Sequence, residues 1–280
     1  MSDKIIDPHV HFFNLTEGQY TWLQGSNPPP WPNLDKIKKQ ITSSELKAAC
    51  PFQLEALVHI EAGFDNQAPV NELNWLATYL NDIPYRAISY SAIDASSKHF
   101  EASLNELDHP SLVGIRDITE GDEAKRLLTP HCQDNLAMLA GENLHFEAQF
   151  EIENMQATEQ LIKYCTALPS LRVVINHLGF ISDEQGWLEA IIKLSRCDNI
   201  AIKFSGLEFT QIAVNKHLWL VNNLVKYFGE HRVMFASNFP VCQMNTSYTN
   251  CWKHYHSLCS QSSLWHKLSY KNAREIYLIA

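Results

Sequence analysis

Eight short runs of apolar and β-branched residues recur along the chain, at 4–11, 55–61, 85–92, 112–117, 144–149, 171–177, 199–205 and 232–237. Runs of this length and character read as buried strands. After the first, their starts lie roughly thirty residues apart, about the length of one strand–helix unit. Helical stretches fill the gaps. One opens with Pro69 and carries Glu72, Leu73, Leu76 and Leu80; another carries Leu161, Ile162, Tyr164 and Cys165. A third carries Leu188, Ile191, Ile192 and Leu194, and the longest is expected over 211–228. Eight strands alternating with helices predict an α/β fold, a closed (β/α)8 TIM barrel forming a single domain over residues 1–280. The competing doubly wound sheet wants a glycine-rich first turn, and this chain reads Pro8-His9-Val10-His11-Phe12-Phe13 there. The barrel wins.

The stretch from Tyr20 to Asn33 is rich in Pro, Trp and Gly and includes Pro28-Pro29-Pro30-Trp31-Pro32. No regular helix or strand is expected in it. A loop over 14–42 is long for a connection, which reads either as a lid over the barrel mouth or as a surface excursion packed by its own aromatics.

Composition narrows the partners. With 45% hydrophobic and 19% charged residues, the 280-residue chain can bury a sizeable core. Its net charge is −9 and no basic run exceeds Lys38-Lys39, which argues against nucleic acid or an anionic membrane. No segment nears the ~18 apolar residues of a membrane span. The start, Met-Ser-Asp-Lys-Ile-Ile-Asp, has no signal-peptide pattern. Seven cysteines with no Cys-x-x-Cys pair read as reduced, core-packing thiols, so a cytoplasmic location is expected. A homo-oligomer is left open.

Polar groups gather at the ends of the expected strands. Side chains two apart share a face, which pairs His9 with His11, His59 with Glu61, and Lys203 with Ser205. Strand six puts either Asn176 or His177 inward, strand four offers Arg116, and strand five offers Glu147 and Gln149. Each has a structural alternative: Arg116 could pair with Glu61 or Glu147 to neutralise buried charge, and Lys203 could do likewise. So many polar groups at one end of a barrel are costly unless a ligand uses them. They are expected to converge there on a small acidic substrate.

Four segments carry a resemblance: His9-Val10-His11-Phe12-Phe13 after Ile-Asp, Ile175-Asn176-His177-Leu178-Gly179, Lys203-Phe204-Ser205-Gly206-Leu207, and Phe235-Ala236-Ser237-Asn238-Phe239-Pro240. Together with Lys271-Asn272-Ala273-Arg274-Glu275-Ile276-Tyr277 they resemble the amidohydrolase superfamily, and within it the lactonases acting on sugar-acid and dicarboxylate lactones. The resemblance implies that His9, His11 and His177 form the site with a strand-eight acid. Where the family pattern has Asp, this chain has Asn238. The strand-five histidine of two-metal members is also missing: the strand ends Glu147-Ala148-Gln149, and His145 stands near its start.

The resemblance therefore implies a lactonase, with one Zn²⁺ or similar ion on His9, His11 and His177, or with no metal and the histidines polarising the carbonyl directly. Arg116, Lys203, His59 and Glu147 are the expected substrate-binding residues. A neutral amide cannot take a proton from water, so the general base must come from elsewhere, with Glu61 the first candidate and His59 and Glu147 behind it. A decarboxylase or other lyase of the same superfamily, or a non-catalytic binder of a small acid, are the alternatives.

Overall fold

The computed structural model describes residues 3–259 and 261–279. All eight expected strands form: β1 (Lys4–Val10), β2 (Gln53–Ile60), β3 (Tyr85–Tyr90), β4 (Leu112–Ile118), β5 (His145–Gln149), β6 (Val173–Ile175), β7 (Ile200–Phe204) and β8 (Val233–Phe235). They belong to one eight-stranded sheet in the order β1 to β8, with helices between, which is the (β/α)8 TIM-barrel fold. β6 is shorter than expected: Asn176 is still extended, and the chain turns left-handed at His177.

The chain forms two compact units. The first comprises Met1–Ser89, His109–Leu112 and Phe235–Ala280, and the second comprises Tyr90–Asp108 and Val113–Met234.

In the first unit β1 pairs parallel with β2, and β2 with β3. The β1–β2 register shifts between Asp7 and Val10, where Pro8 has no N–H to give. The segment after β8 returns to β1 through a parallel bridge between Val10 and Phe239. There the His11 N–H donates to the Phe239 carbonyl at 2.7 Å and the Asn238 N–H to that of His9 at 3.0 Å. Asp7, wholly buried, reinforces this junction. Its Oδ1 accepts the backbone N–H groups of Ser237 at 3.1 Å and His9 at 3.3 Å, and its Oδ2 accepts the Tyr248 hydroxyl at 3.0 Å.

Residues 14–42 are less irregular than expected. The proline-free stretch Thr21–Gln24 closes one α-helical turn, and Leu34–Lys36 a 3-10 turn. Trp22 Nε1 donates to the Ala62 carbonyl at 2.8 Å, and Tyr20 N to that of Gly63 at 3.0 Å. Asn33 Nδ2 donates to the Met244 carbonyl at 3.0 Å. The excursion is thus fastened to the loop that leaves β2 and to the turn that follows β8. Phe13, Tyr20 and Phe64 pack edge-on beneath it.

In the second unit β4 to β7 pair in continuous parallel register, Arg116 opposite Glu147, Glu147 opposite Val174, and Val174 opposite Ala201. Helix Met155–Ala167 is capped by Asn154, which accepts from Ala157 N, and helix Glu184–Leu194 by Asp183, which accepts from Gly186 N. The helix expected over 211–228 starts only at His217, after a 3-10 turn at Val214–Lys216, because Ala213 is extended. Five of the seven cysteines are buried and all seven are unbridged. No helix among the described residues is long and apolar enough to cross a membrane.

Candidate active site

In the first unit the end of β1, the end of β2 and the turn after β8 bring together His9, His11, His59 and Asn238. The His9 and His11 rings meet edge-on with centroids 5.0 Å apart. His11 Nδ1 lies 2.8 Å from the Ile60 carbonyl oxygen, and its Nε2 lies 3.3 Å from the side-chain oxygen position of Asn238. A carbonyl only accepts, so Nδ1 carries the proton. In the neutral ring Nε2 is then a lone pair, and the Asn238 amide bonds to it through its NH2 after a half-turn about its last torsion. A carboxylate at that place could bond only to a protonated ring. Asn238 sits at φ 59°, a left-handed backbone that asparagine tolerates better than most residues.

His59 is engaged within the protein on both sides. Its Nε2 bonds Glu72 Oε1 at 2.8 Å, and its Nδ1 accepts the Phe12 N–H at 3.4 Å. Phe12 also stacks on its face. Glu72, 4% exposed, takes the Ala62 N–H at 2.9 Å on the same oxygen. Glu72 and Asp7 were absent from the expected site. The signal for Glu72 was present: a carboxylate on the apolar stripe of a helix needs a buried partner. Glu61 follows β2 directly and is buried, its N–H donating to the Ile88 carbonyl at 2.8 Å.

The second unit brings together Arg116, Glu147, His177 and Lys203. Arg116 NH1 donates to Gln149 Oε1 at 2.9 Å, and Gln149 Nε2 donates to Glu120 Oε1 at 2.8 Å. Those two bonds fix which way the Gln149 amide points. Burial, with the nearby Glu151 charge, pushes the Glu120 carboxyl above the usual range, against Gln149 and Arg116. Lys203 and Glu147 form an ion pair at 2.7 Å with both side chains wholly buried. Of the two expected roles for Lys203, the charge-neutralising one is realised on Glu147.

His177 begins a run of left-handed backbone: His177, Leu178, Gly179 and Phe180 have φ of 52°, 58°, 67° and 54°. Single left-handed residues are ordinary; two consecutive non-glycine ones, His177 and Leu178, are not, and such strain gathers at working sites. The ring is held by Ser205 Oγ, 3.0 Å from Nδ1. Gly206 makes this possible, since a Cβ there would stand 2.5 Å from the His177 Cβ. Burial first, then the positive charges of Arg116 and Lys203, hold the His177 imidazole well below the ordinary histidine range. It is neutral. His145 is the first residue of β5, at the opposite end of that strand from Gln149. Its Nε2 lies 3.1 Å from Arg172 NH1, and burial, with Arg172 and Lys203, pushes its pKa down to about 3. β5 brings no histidine to its C-terminal end.

Among the described residues no group of three or more His, Cys, Asp or Glu side chains is placed to hold a metal ion. The first unit offers two imidazoles beside a neutral amide, and an amide is a poor zinc ligand. These donors do not complete a zinc site.

A family model described as amidohydrolase matches residues 6–279. The chain is 28% identical to the uncharacterized protein y4mH of Sinorhizobium fredii (strain NBRC 101917 / NGR234), over 95% of this chain and 97% of that one. Among solved structures it is similar to a zinc-bound amidohydrolase from Burkholderia multivorans, with TM-score 0.78, 16% identity and 99% of each chain covered. It is also similar to a Pseudomonas putida protein assigned as a 2-pyrone-4,6-dicarboxylic acid hydrolase, with TM-score 0.70, 17% identity and 99% and 98% coverage. A 2,6-dihydroxybenzoate decarboxylase from Rhizobium matches with TM-score 0.62, 13% identity and 99% of each chain covered. At these identities the solved structures speak for the fold.

Proposed function

This chain belongs to the amidohydrolase family, and from that premise we propose that it hydrolyses a small carboxylated lactone, with His11 as general base in place of the missing strand-eight acid. The observation that carries the reading is the two-sided fixing of the His11 ring. Its Nδ1–H is tied to the Ile60 carbonyl, so the lone pair on Nε2 is aimed at the amide of Asn238. An imidazole held in one tautomer by an acceptor behind it is the usual arrangement of a histidine base.

In the proposed reaction a water enters between the Asn238 amide and His11 Nε2, replacing their direct bond; the amide orients the water and its proton passes to Nε2. The water oxygen bonds to the lactone carbonyl carbon, and the developing oxyanion is stabilised by hydrogen-bond donors. The ring C–O bond then breaks, and the proton on His11 moves to the departing alkoxide. The products are a carboxylic acid, which releases its proton to solvent and leaves as the carboxylate, and a free hydroxyl, so atoms and charge balance. His59 and Glu72 position the turn after β1 through the Phe12 N–H. Glu147 is engaged by Lys203 and has no part in proton transfer in this reading. No step runs through a metal. The decarboxylase alternative would want a histidine at the end of β5, where this chain has Gln149.

The test is a panel of carboxylated lactones assayed by proton release, with and without added Zn²⁺. His11→Gln and Glu61→Gln are run beside the wild type. Turnover that His11→Gln reduces by about 10²–10⁴-fold and Glu61→Gln spares supports the reading. Loss of turnover in Glu61→Gln alone moves the base to Glu61, and absence of hydrolysis across the panel removes the lactonase assignment.

A further inference from the structure

Asp7 is a wholly buried carboxyl at the seam of β1 and the turn after β8, surrounded by donors. Its Oδ1 takes the backbone N–H groups of Ser237 and His9, and its Oδ2 takes the Tyr248 hydroxyl. The Ser237 hydroxyl bonds to the same carboxyl, and its oxygen accepts the Phe239 N–H at 2.9 Å. Burying a carboxyl is costly, and a seam that only had to close could do so with its backbone bonds.

What these bonds surround is Asn238. Its N–H goes to the His9 carbonyl at 3.0 Å, and its carbonyl accepts the Cys242 N–H at 3.1 Å. The residue before it is fixed by Asp7 through the Ser237 N–H, and the residue after it by Ser237 Oγ through the Phe239 N–H. The backbone is thereby set on both sides of a residue held at φ 59°, a conformation uncommon outside glycine. From there the Asn238 side chain reaches His11 Nε2, 3.3 Å away. The oxygen of Asp7 that fixes Ser237 also fixes the N–H of His9, two residues before His11, so one atom pins both halves of the pair.

We propose that Asp7, extended by the Ser237 hydroxyl, is the positioning residue that brings the Asn238 amide and His11 Nε2 together. It works through its lone pairs and not through its charge. An asparagine in its place could therefore serve. The Asn oxygen can accept the same two N–H groups, and its NH2 can donate to the Tyr248 oxygen once that hydroxyl turns its hydrogen away. Alanine offers none of these. The kinetic consequence rests on the hydrolase reading above; the geometric one does not.

Two measurements keep them apart. In the first, lactone hydrolysis is compared for wild type, Asp7→Asn and Asp7→Ala at a temperature where urea unfolding shows all three folded. Asp7→Ala should lower kcat and kcat/KM together by about 10²-fold, the scale of a misplacement near 1 Å, while Asp7→Asn restores most of the loss. An asparagine variant as slow as the alanine one assigns the role to charge and overturns the proposal.

The second measurement needs no turnover. The side-chain amide signal of Asn238, identified by its loss in Asn238→Asp, is followed by ¹⁵N–¹H NMR in chelator. It should keep its place in Asp7→Asn and move in Asp7→Ala. Ser237→Ala, which frees the Phe239 N–H while leaving the Asp7 side chain present, should move it in the same sense, and decides the matter should Asp7→Ala not fold. A shifted signal upholds the role of Asp7 even if no lactone is hydrolysed. A signal unmoved by the alanine variants shows that the seam closes without Asp7 and overturns the proposal, leaving the hydrolase reading standing.

Discussion

His11 is held between two groups of opposite demand. Its Nδ1 lies 2.8 Å from the Ile60 carbonyl, which requires a hydrogen, and its Nε2 lies 3.3 Å from the side chain of Asn238, an amide that can supply one. A neutral imidazole with a single proton satisfies both. This pairing gives the uncharged residue at position 238 a chemical consequence.

Replacing Asn238 by Asp should change the site in two ways at once. The carboxylate would favour protonated His11, so kcat/KM in chelator should fall at neutral pH and its acidic limb should move to higher pH. It would also add an oxygen ligand beside two imidazoles, so Zn²⁺ should bind more tightly. The pH–rate profile and metal content of matched preparations check both. Higher metal-free activity in Asn238→Asp would show that the acid, where present, is the better base here.

Arg116 should act on affinity. A charge-assisted bond is worth about 1.5–3 kcal/mol, so Arg116→Ala should raise KM for a carboxylated substrate by roughly 10- to 100-fold with a smaller change in kcat. Arg116→Lys should recover only part of this, because an ammonium cannot bind a carboxylate in two-pronged fashion. If all three forms share one KM, the guanidinium serves the fold alone.

The Lys203–Glu147 pair should behave as a buried ion pair. Removing one partner, as in Lys203→Ala, strands a charge and should cost about 3–5 kcal/mol in chemical denaturation. The double variant Lys203→Met/Glu147→Leu should lose far less, since no charge is left behind. A double variant as unstable as the single one would mean that packing, and not charge, decides the loss.

Acid should weaken the fold through His145. Its pKa is about 3 in the folded protein against an ordinary value of 6.5, so below pH 6.5 the unfolded chain binds a proton that the folded one refuses. Stability then falls by about 1.4 kcal/mol per pH unit, until the folded value is reached. His177, also lowered, acts in the same direction, while Asp7 and Glu120, both raised, act in the opposite one. His145→Gln isolates the first contribution. Its stability between pH 6 and 4, from urea unfolding, should fall with a slope shallower by about one proton. An unchanged slope would remove His145 from the account.

The eightfold alternation was legible in the residues because strand and helix periodicities are local. Each run of Val, Ile, Leu and Phe declares its buried character within a few positions, and all eight strands formed where those runs stand. The substitution at 238 and the misplaced His145 were legible for the same reason, since both are facts of residue type and position. Partners were not. That Glu72 holds His59, that Lys203 is spent on Glu147, and that Gly206 clears space for a left-handed His177 are relations between residues 13, 56 and 29 positions apart. Such relations depend on register and on which rotamers the packed core admits. The run of residues determined where strands begin and which polar groups stand at their ends. Tertiary structure decided which of those groups neutralise one another, because a buried charge or amide takes whichever partner the folded backbone brings within hydrogen-bond distance.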